Sequence, residues 1–193
     1  MACWDAVMTA SQHVPRAAHL AQLNVATLRY PLDDPRMAAF VELLDPVNAA
    51  ADATPGFVWR LVEEGAADAT ELRPAGEDVI VNMSVWETRE ALWDFAYRSG
   101  HLEVMRRRRE WFERHVEAHL VLWWVPAGHL PTIEEALERL ADLREHGPSP
   151  RAFTFASSYT AAEAGLHLQA LPTLPAQAAD GAHPTRAGSS PMA

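Results

Sequence analysis

Apolar and polar positions first fall into order over residues 19–28 (HLAQLNVATL). There Leu20, Gln22, Asn24 and Ala26 share one face, and Ala21, Leu23, Val25 and Thr27 the other. This period of two predicts a strand. The next stretch, PLDDP, changes the period: Asp34 is a candidate N-cap with Pro35 at the first helical position. Met37, Phe40, Val41, Leu44 and Val47 then recur at helical spacing. Pro46 has no amide hydrogen, so the final turns of this helix are expected to be disturbed. Pro55-Gly56 turns the chain into a strand over 57–63 (FVWRLVE), and a polar connection leads to another over 78–86 (DVIVNMSVW). The two read as an antiparallel hairpin with a long loop. Residues 88–116 carry the longest helical pattern, with a break or kink expected at Ser99-Gly100. A strand over 118–125 (AHLVLWWV) stops at Pro126. The last helix opens on the capping box formed by Thr132 and Glu135, runs to His146 and closes on Gly147-Pro148.

Strand, helix, two strands, helix, strand is the ferredoxin-like order of an α+β fold. It predicts a four-stranded antiparallel sheet with helices on one face. The second face also needs cover, because strands bearing Trp59, Trp123 and Trp124 do not leave it wet. A second copy of the same sheet is the most economical cover, so a homodimer is expected.

Composition narrows the picture. The chain has 193 residues, and the pattern above occupies a domain at 18–156. A low-charge segment at 1–17 and an Ala/Pro-rich tail at 157–193 read as disordered. No apolar run approaches the roughly 20 residues of a membrane helix. The first residues lack the basic start and apolar stretch of a signal peptide, so a cytoplasmic location without membrane contact is expected. Cys3 is the single cysteine, which excludes an intrachain disulfide framework. All 16 basic residues are Arg, so lysine-dependent Schiff-base chemistry and a Walker phosphate loop are excluded. The net charge of −10 argues against nucleic acid as a partner.

On an unbroken helix, Tyr97, His101, Val104, Arg108, Trp111 and His115 would align at steps of three and four. A phenol, an imidazole, a guanidinium and an indole on one line suit an oxygenated aromatic ligand. His101, able to exchange a proton near neutral pH, is the candidate catalytic residue. Asn24, Arg60, Asn82 and Trp86 on strand faces join Tyr97, Arg108 and Trp111 as candidate substrate-binding residues. Polar groups on an inward face either line a pocket or pair with one another, and both readings stand. His115 and His119 have the four-residue spacing of helical metal ligands. The helix should end near Val116, however, which destroys their shared face, so no metal site is expected. The arginine run at 106–109 reads as a surface paired with Glu103, Glu110, Glu113 and Glu117.

Five stretches, LAQLNVATLRYPLDDPRMAAFV (20–41), PGFVWRL (55–61), VNMSVWETREALWDFAYRSGH (81–101), RRREWF (107–112) and LWWVPAGHLPTIEEALERL (122–140), carry a family resemblance. The chain resembles an uncharacterised bacterial family of the dimeric α+β barrel superfamily, alongside the antibiotic-biosynthesis monooxygenase-like proteins. The resemblance covers about residues 19–155 and implies a ferredoxin-like fold that dimerises through its sheets. It does not imply a reaction. Relatives include cofactor-free monooxygenases, polyketide cyclases, haem-degrading enzymes and haem peroxidase-like enzymes. Haem-degrading relatives have an Asn on the first strand and a Trp and a ligand His on the second helix. Asn24 matches the first, while Phe95 and Met105 stand near the other two positions. The expectation is therefore an enzyme of secondary metabolism that takes an aromatic or polyketide-like small-molecule ligand. It would act by acid/base chemistry with no cofactor, metal or nucleotide. The alternatives are a non-catalytic dimeric ligand-binding or structural domain, or a haem-binding protein.

Overall fold

A computed structural model describes residues 18–98 and 101–166, with backbone alone at His101 and Glu103. The expected segment at 1–17, the Ser99-Gly100 kink and the tail beyond Leu166 lie outside the described residues, as does the His101 side chain.

Four strands form one antiparallel sheet in the order β2-β3-β1-β4. They are β1 (Ala18–Thr27), β2 (Phe57–Arg60), β3 (Val79–Trp86) and β4 (Leu120–Pro126). With α1 (Ala38–Asp52) between β1 and β2, and α2 (Arg89–Arg98) and α3 (His101–Arg107) between β3 and β4, this is the ferredoxin-like arrangement. A final helix, α4 (Ile133–His146), follows β4.

Local chemistry explains the element ends. Asp34 caps a 3-10 turn over Pro35–Met37, its carboxylate accepting the Arg36 amide at 2.9 Å. The Arg36 guanidinium beside it holds the Asp34 carboxyl down at about 2. Pro46 sits inside α1, yet the helix runs on to Asp52. The residue is exposed, so the missing amide hydrogen removes one ladder bond where water reaches the backbone. Gly56, at a φ of +85°, brings the turn before β2 against α2. A Cβ there would lie 2.8 Å from Ala91 Cβ. The helical pattern through 88–116 ends sooner than its spacing predicts. After α3 a 3-10 turn covers Arg108–Glu110, and the chain then extends beside the end of β1. Arg29 donates its amide to the Trp111 carbonyl at 2.9 Å, and Glu113 to the Thr27 carbonyl at 2.9 Å.

The two sheet faces differ. One carries Ala21, Leu23, Val25, Val81, Met83, Val85, Val121 and Trp123, all buried, packed with Ala136, Leu140 and Leu143 of α4. The Trp123 indole N–H donates to Glu135 at 3.0 Å and ties the start of that helix to β4. Over β1 and β4, the face expected to require a second copy is covered by the chain's own α4, whose Ala136, Leu140 and Leu143 recur at helical spacing, and Leu61 and Leu72 of the β2–β3 connection pack on the same cluster. The other face lies beneath α1, α2 and α3, with Leu20, Trp86, Leu92, Leu122 and Phe153 in one cluster and Met37, Phe40, Ile80 and Trp111 in another.

The packed chain extends past Ala156, where the sequence pattern placed the end of the domain. Phe153 is fully buried and exchanges backbone hydrogen bonds with Leu122 at 2.8 and 2.9 Å. Farther on, the Tyr159 carbonyl accepts the Trp124 indole N–H at 2.7 Å.

Candidate functional site

Between the clusters on the α1–α3 side, the centre of the sheet carries side chains too small or too polar to meet the helices: Gln22, Asn24 and Ala26 on β1, and Asn82 on β3. A cavity of about 510 Å³ results. Phe40, Leu44 and Val47 of α1 wall it on one side, Leu92, Phe95 and Tyr97 of α2 on the other, and Val104 and Met105 of α3 beyond. Apolar walls around a few placed polar groups are the usual makeup of a small-molecule site.

The polar floor is of two kinds. Gln22 is locked: its amide N–H donates to the Asn82 backbone carbonyl at 3.1 Å, and its oxygen accepts the Ser84 hydroxyl at 3.1 Å. Ser84 in turn accepts the Trp86 indole N–H at 2.9 Å. Asn24 and Asn82 sit opposite each other across the β1–β3 ladder. Neither side-chain amide has a hydrogen-bond partner among the described residues. Two amides that face open space from a sheet surface offer paired donors and acceptors to whatever enters.

Of the residues singled out from sequence, Asn24, Arg60, Asn82, Tyr97 and Arg108 line this one cavity. Arg60 is already engaged, donating to Asp52 at 3.0 Å and to the Ala67 carbonyl at 3.0 Å. Arg108 is exposed and lines the cavity without a carboxylate partner among the described residues. Trp86 and Trp111 are placed differently. Trp86 is buried between Phe57 and Phe95, with ring centroids 5.2 Å from each, and Trp111 lies 5.7 Å from Phe40. Both indoles bury a large apolar area, and the core claims them. Trp111 leaves the expected helical line because the helix has already ended.

Sequence reasoning set aside the pair His115 and His119, and the fold brings them together without a helix. Their rings stack with centroids 5.3 Å apart and 16° between planes, and both line the cavity. The extended run after Trp111 makes this possible, since it pairs with β1: the His119 carbonyl accepts the Val25 amide at 2.9 Å. His115 Nε2 accepts the Thr27 amide at 3.3 Å. Burial, then the charges of Arg144 and Arg108, push the His115 imidazole below its ordinary value. His119 is pushed the same way, by burial, then His115, then Arg108. The four-residue spacing was the available signal, but it was tied to a helix that the chain does not form there.

No cluster of three or more metal-ligating side chains occurs among the described residues. Phe95 and Met105 line the cavity where haem-degrading relatives place a Trp and a ligand His. Neither offers an axial nitrogen, so the residues at those positions do not fit that use of haem.

A family model described as "Domain of unknown function (DUF3291)" matches residues 19–169. No curated protein matches the chain. Among solved structures, SnoaB, a cofactor-independent oxygenase from Streptomyces nogalater, is 17% identical, over 59% of this chain and 97% of that one, with a TM-score of 0.40. Rv0793 from Mycobacterium tuberculosis is 16% identical, over 60% and 98%, with a TM-score of 0.40. NE2512, a protein of unknown function from Nitrosomonas europaea, is 12% identical, over 61% and 98%, with a TM-score of 0.39.

Proposed function

The chain belongs to the DUF3291 family, and from that premise we propose that it binds and processes an aromatic or polyketide-like small molecule in the cavity between the sheet and α1–α3. The carrying observation is that Asn24 and Asn82 meet across one ladder, unpartnered among the described residues, on the floor of a cavity of about 510 Å³ walled by Phe40, Leu44, Phe95 and Met105. Asn82 is exposed and Asn24 half-buried, so both amides are open to water or to a ligand that replaces it. In this reading the amides orient ligand oxygens, Tyr97 and Phe95 cover an aromatic face, and Arg108 meets developing negative charge. Proton transfer comes from histidine: His101, at the start of α3, is the residue that the sequence alone offers, and His115 and His119 line the cavity. A homodimer remains part of this reading, with α4 packed over β1 and β4 on the face it was expected to bury.

The test is a thermal-shift and calorimetric screen of the full chain against polycyclic phenols and quinones, followed by product analysis after incubation in air. Replacing Asn24→Leu and Asn82→Leu together is expected to weaken binding at least tenfold while leaving the cooperative melt in place. Binding that survives both replacements would remove the amides from the site. A ligand recovered unchanged would leave the non-catalytic binding domain, a reading already supported by the Gln22–Ser84–Trp86 chain, in which buried polar groups satisfy one another.

A further inference from the structure

The geometry points to His119 as the proton acceptor of this cavity, His115 as the ring that positions it, and an acidic aryl hydroxyl, held as its aryloxide, as the ligand group it serves. This rests on the cavity being a small-molecule site and adds which ligand chemistry it selects.

Three observations carry it. First, both rings line the cavity and stack on each other at 5.3 Å. Second, their nitrogens are not equivalent. His115 Nε2 is occupied by the Thr27 amide at 3.3 Å, so the neutral ring carries its proton on Nδ1 and has no second lone pair to offer. His119, by contrast, spends neither ring nitrogen on a backbone amide donor among the described residues: its ring stacks on His115 and lines the cavity itself. The unprotonated nitrogen of its neutral ring is therefore able to take a proton. Third, two cations of the cavity have no carboxylate partner among the described residues. Arg108 lines the cavity without a described carboxylate partner, and Arg114 lines it as well.

Asp68 and Arg109 also line the cavity, while three other charged groups around the pair are engaged with partners. Arg144 of α4 donates to the Ala118 carbonyl at 2.8 Å and pairs with Glu117 at 3.5 Å. Glu113 pairs with Arg29 at 3.5 Å. A resting imidazole among cations and partly buried stays neutral, as the lowered values of both rings agree. A hydroxyl-bearing ligand changes the balance. Its O–H bond breaks, the proton forms an N–H bond on His119, and the electron pair stays on the aryl oxygen. The resulting aryloxide lies between an imidazolium and the Arg108 guanidinium. The cations that, after burial, help hold the resting rings neutral now stabilise the anion.

The test uses 2-hydroxyanthraquinone, whose ionisation moves its visible band to longer wavelength, and its methyl ether, which has no proton to give. At a pH where the free probe is protonated, the full-length protein is expected to bind it with the aryloxide spectrum, and to bind the ether at least tenfold more weakly. His119→Gln should cut the bound aryloxide at least tenfold. His115→Gln should reduce it less and shift the pH at which it forms. A bound probe that keeps the phenol spectrum, or an ether bound as tightly as the phenol, overturns the inference while leaving the cavity reading intact. Failure of both probes to bind at millimolar concentration overturns the two together. Should His119→Gln fail to melt cooperatively, the phenol-to-ether comparison on the unaltered protein still decides.

Discussion

Burial and neighbouring cations set the behaviour of two side chains whose consequences reach the whole fold. His115 and His119 both lie below the ordinary imidazole value of 6.5. A group whose folded value is lowered takes up its proton in the unfolded chain first as pH falls. The stability held in these two rings is therefore complete above about pH 6.5 and drains as pH drops below it, until the folded rings protonate as well. Urea denaturation at pH 7.5 and 5.5 is expected to show this loss. The double replacement His115→Gln and His119→Gln should shrink the difference between the two conditions. An equal fall in the double variant would place the acid sensitivity elsewhere. Asn24 and Asn82 show the same principle from the other side, since polar groups without protein partners are tolerated only where solvent or ligand reaches them.

At the scale of elements, α4 is the part whose placement changes most. Its capping was legible: Thr132 accepts the Glu135 amide at 3.2 Å, as the spacing predicts. Its apolar stripe was legible too, but a stripe does not say what it meets. In the fold it meets the sheet face that a homodimer was expected to bury. Leu140, 2% exposed, stands at the middle of that contact. Leu140→Ala is expected to cost about 2–5 kcal/mol in urea denaturation, the range for a large-to-small change in a packed core. A cost under about 1 kcal/mol would mean that α4 is only lightly docked. The second helical stretch teaches the complementary lesson. Its pattern continues to Val116, yet the backbone after Trp111 finds better partners in β1, and non-local hydrogen bonds end the helix.

For the whole molecule, the boundary of the folded unit is the consequence most open to measurement. Composition marks a change at about 156, where charge and aromatic density fall. The sheet holds on longer, because Tyr159 satisfies the Trp124 indole at 2.7 Å and its ring lies 5.9 Å from buried Phe153. A chain ending at Leu166 is therefore expected to melt about 5 °C above one ending at Ala156, given the few degrees per kcal/mol usual for this size. Equal melting temperatures would show that the Tyr159 contact contributes nothing. No helix among the described residues is long and apolar enough to cross a membrane.

Local rules written along the chain determined the strands, the helix starts and the ferredoxin-like order. Alternation of Leu20 to Thr27, the Asp34-Pro35 start and the Thr132 cap act within a few residues, so a single sequence displays them. The same locality made Asn24, Asn82, Tyr97 and Arg108 visible as polar or aromatic groups on faces that ought to be inward. Only the tertiary structure decided which of those faces are filled and which are hollow. Trp86 and Trp111 went to the core because large indoles find more apolar contact there, while the small and amide-bearing centre of the sheet left a cavity. Likewise only the pairing of residues 111–119 with β1 placed His119 against His115. Periodicity records which side of an element is apolar; what that side touches depends on free energies between segments far apart in the chain.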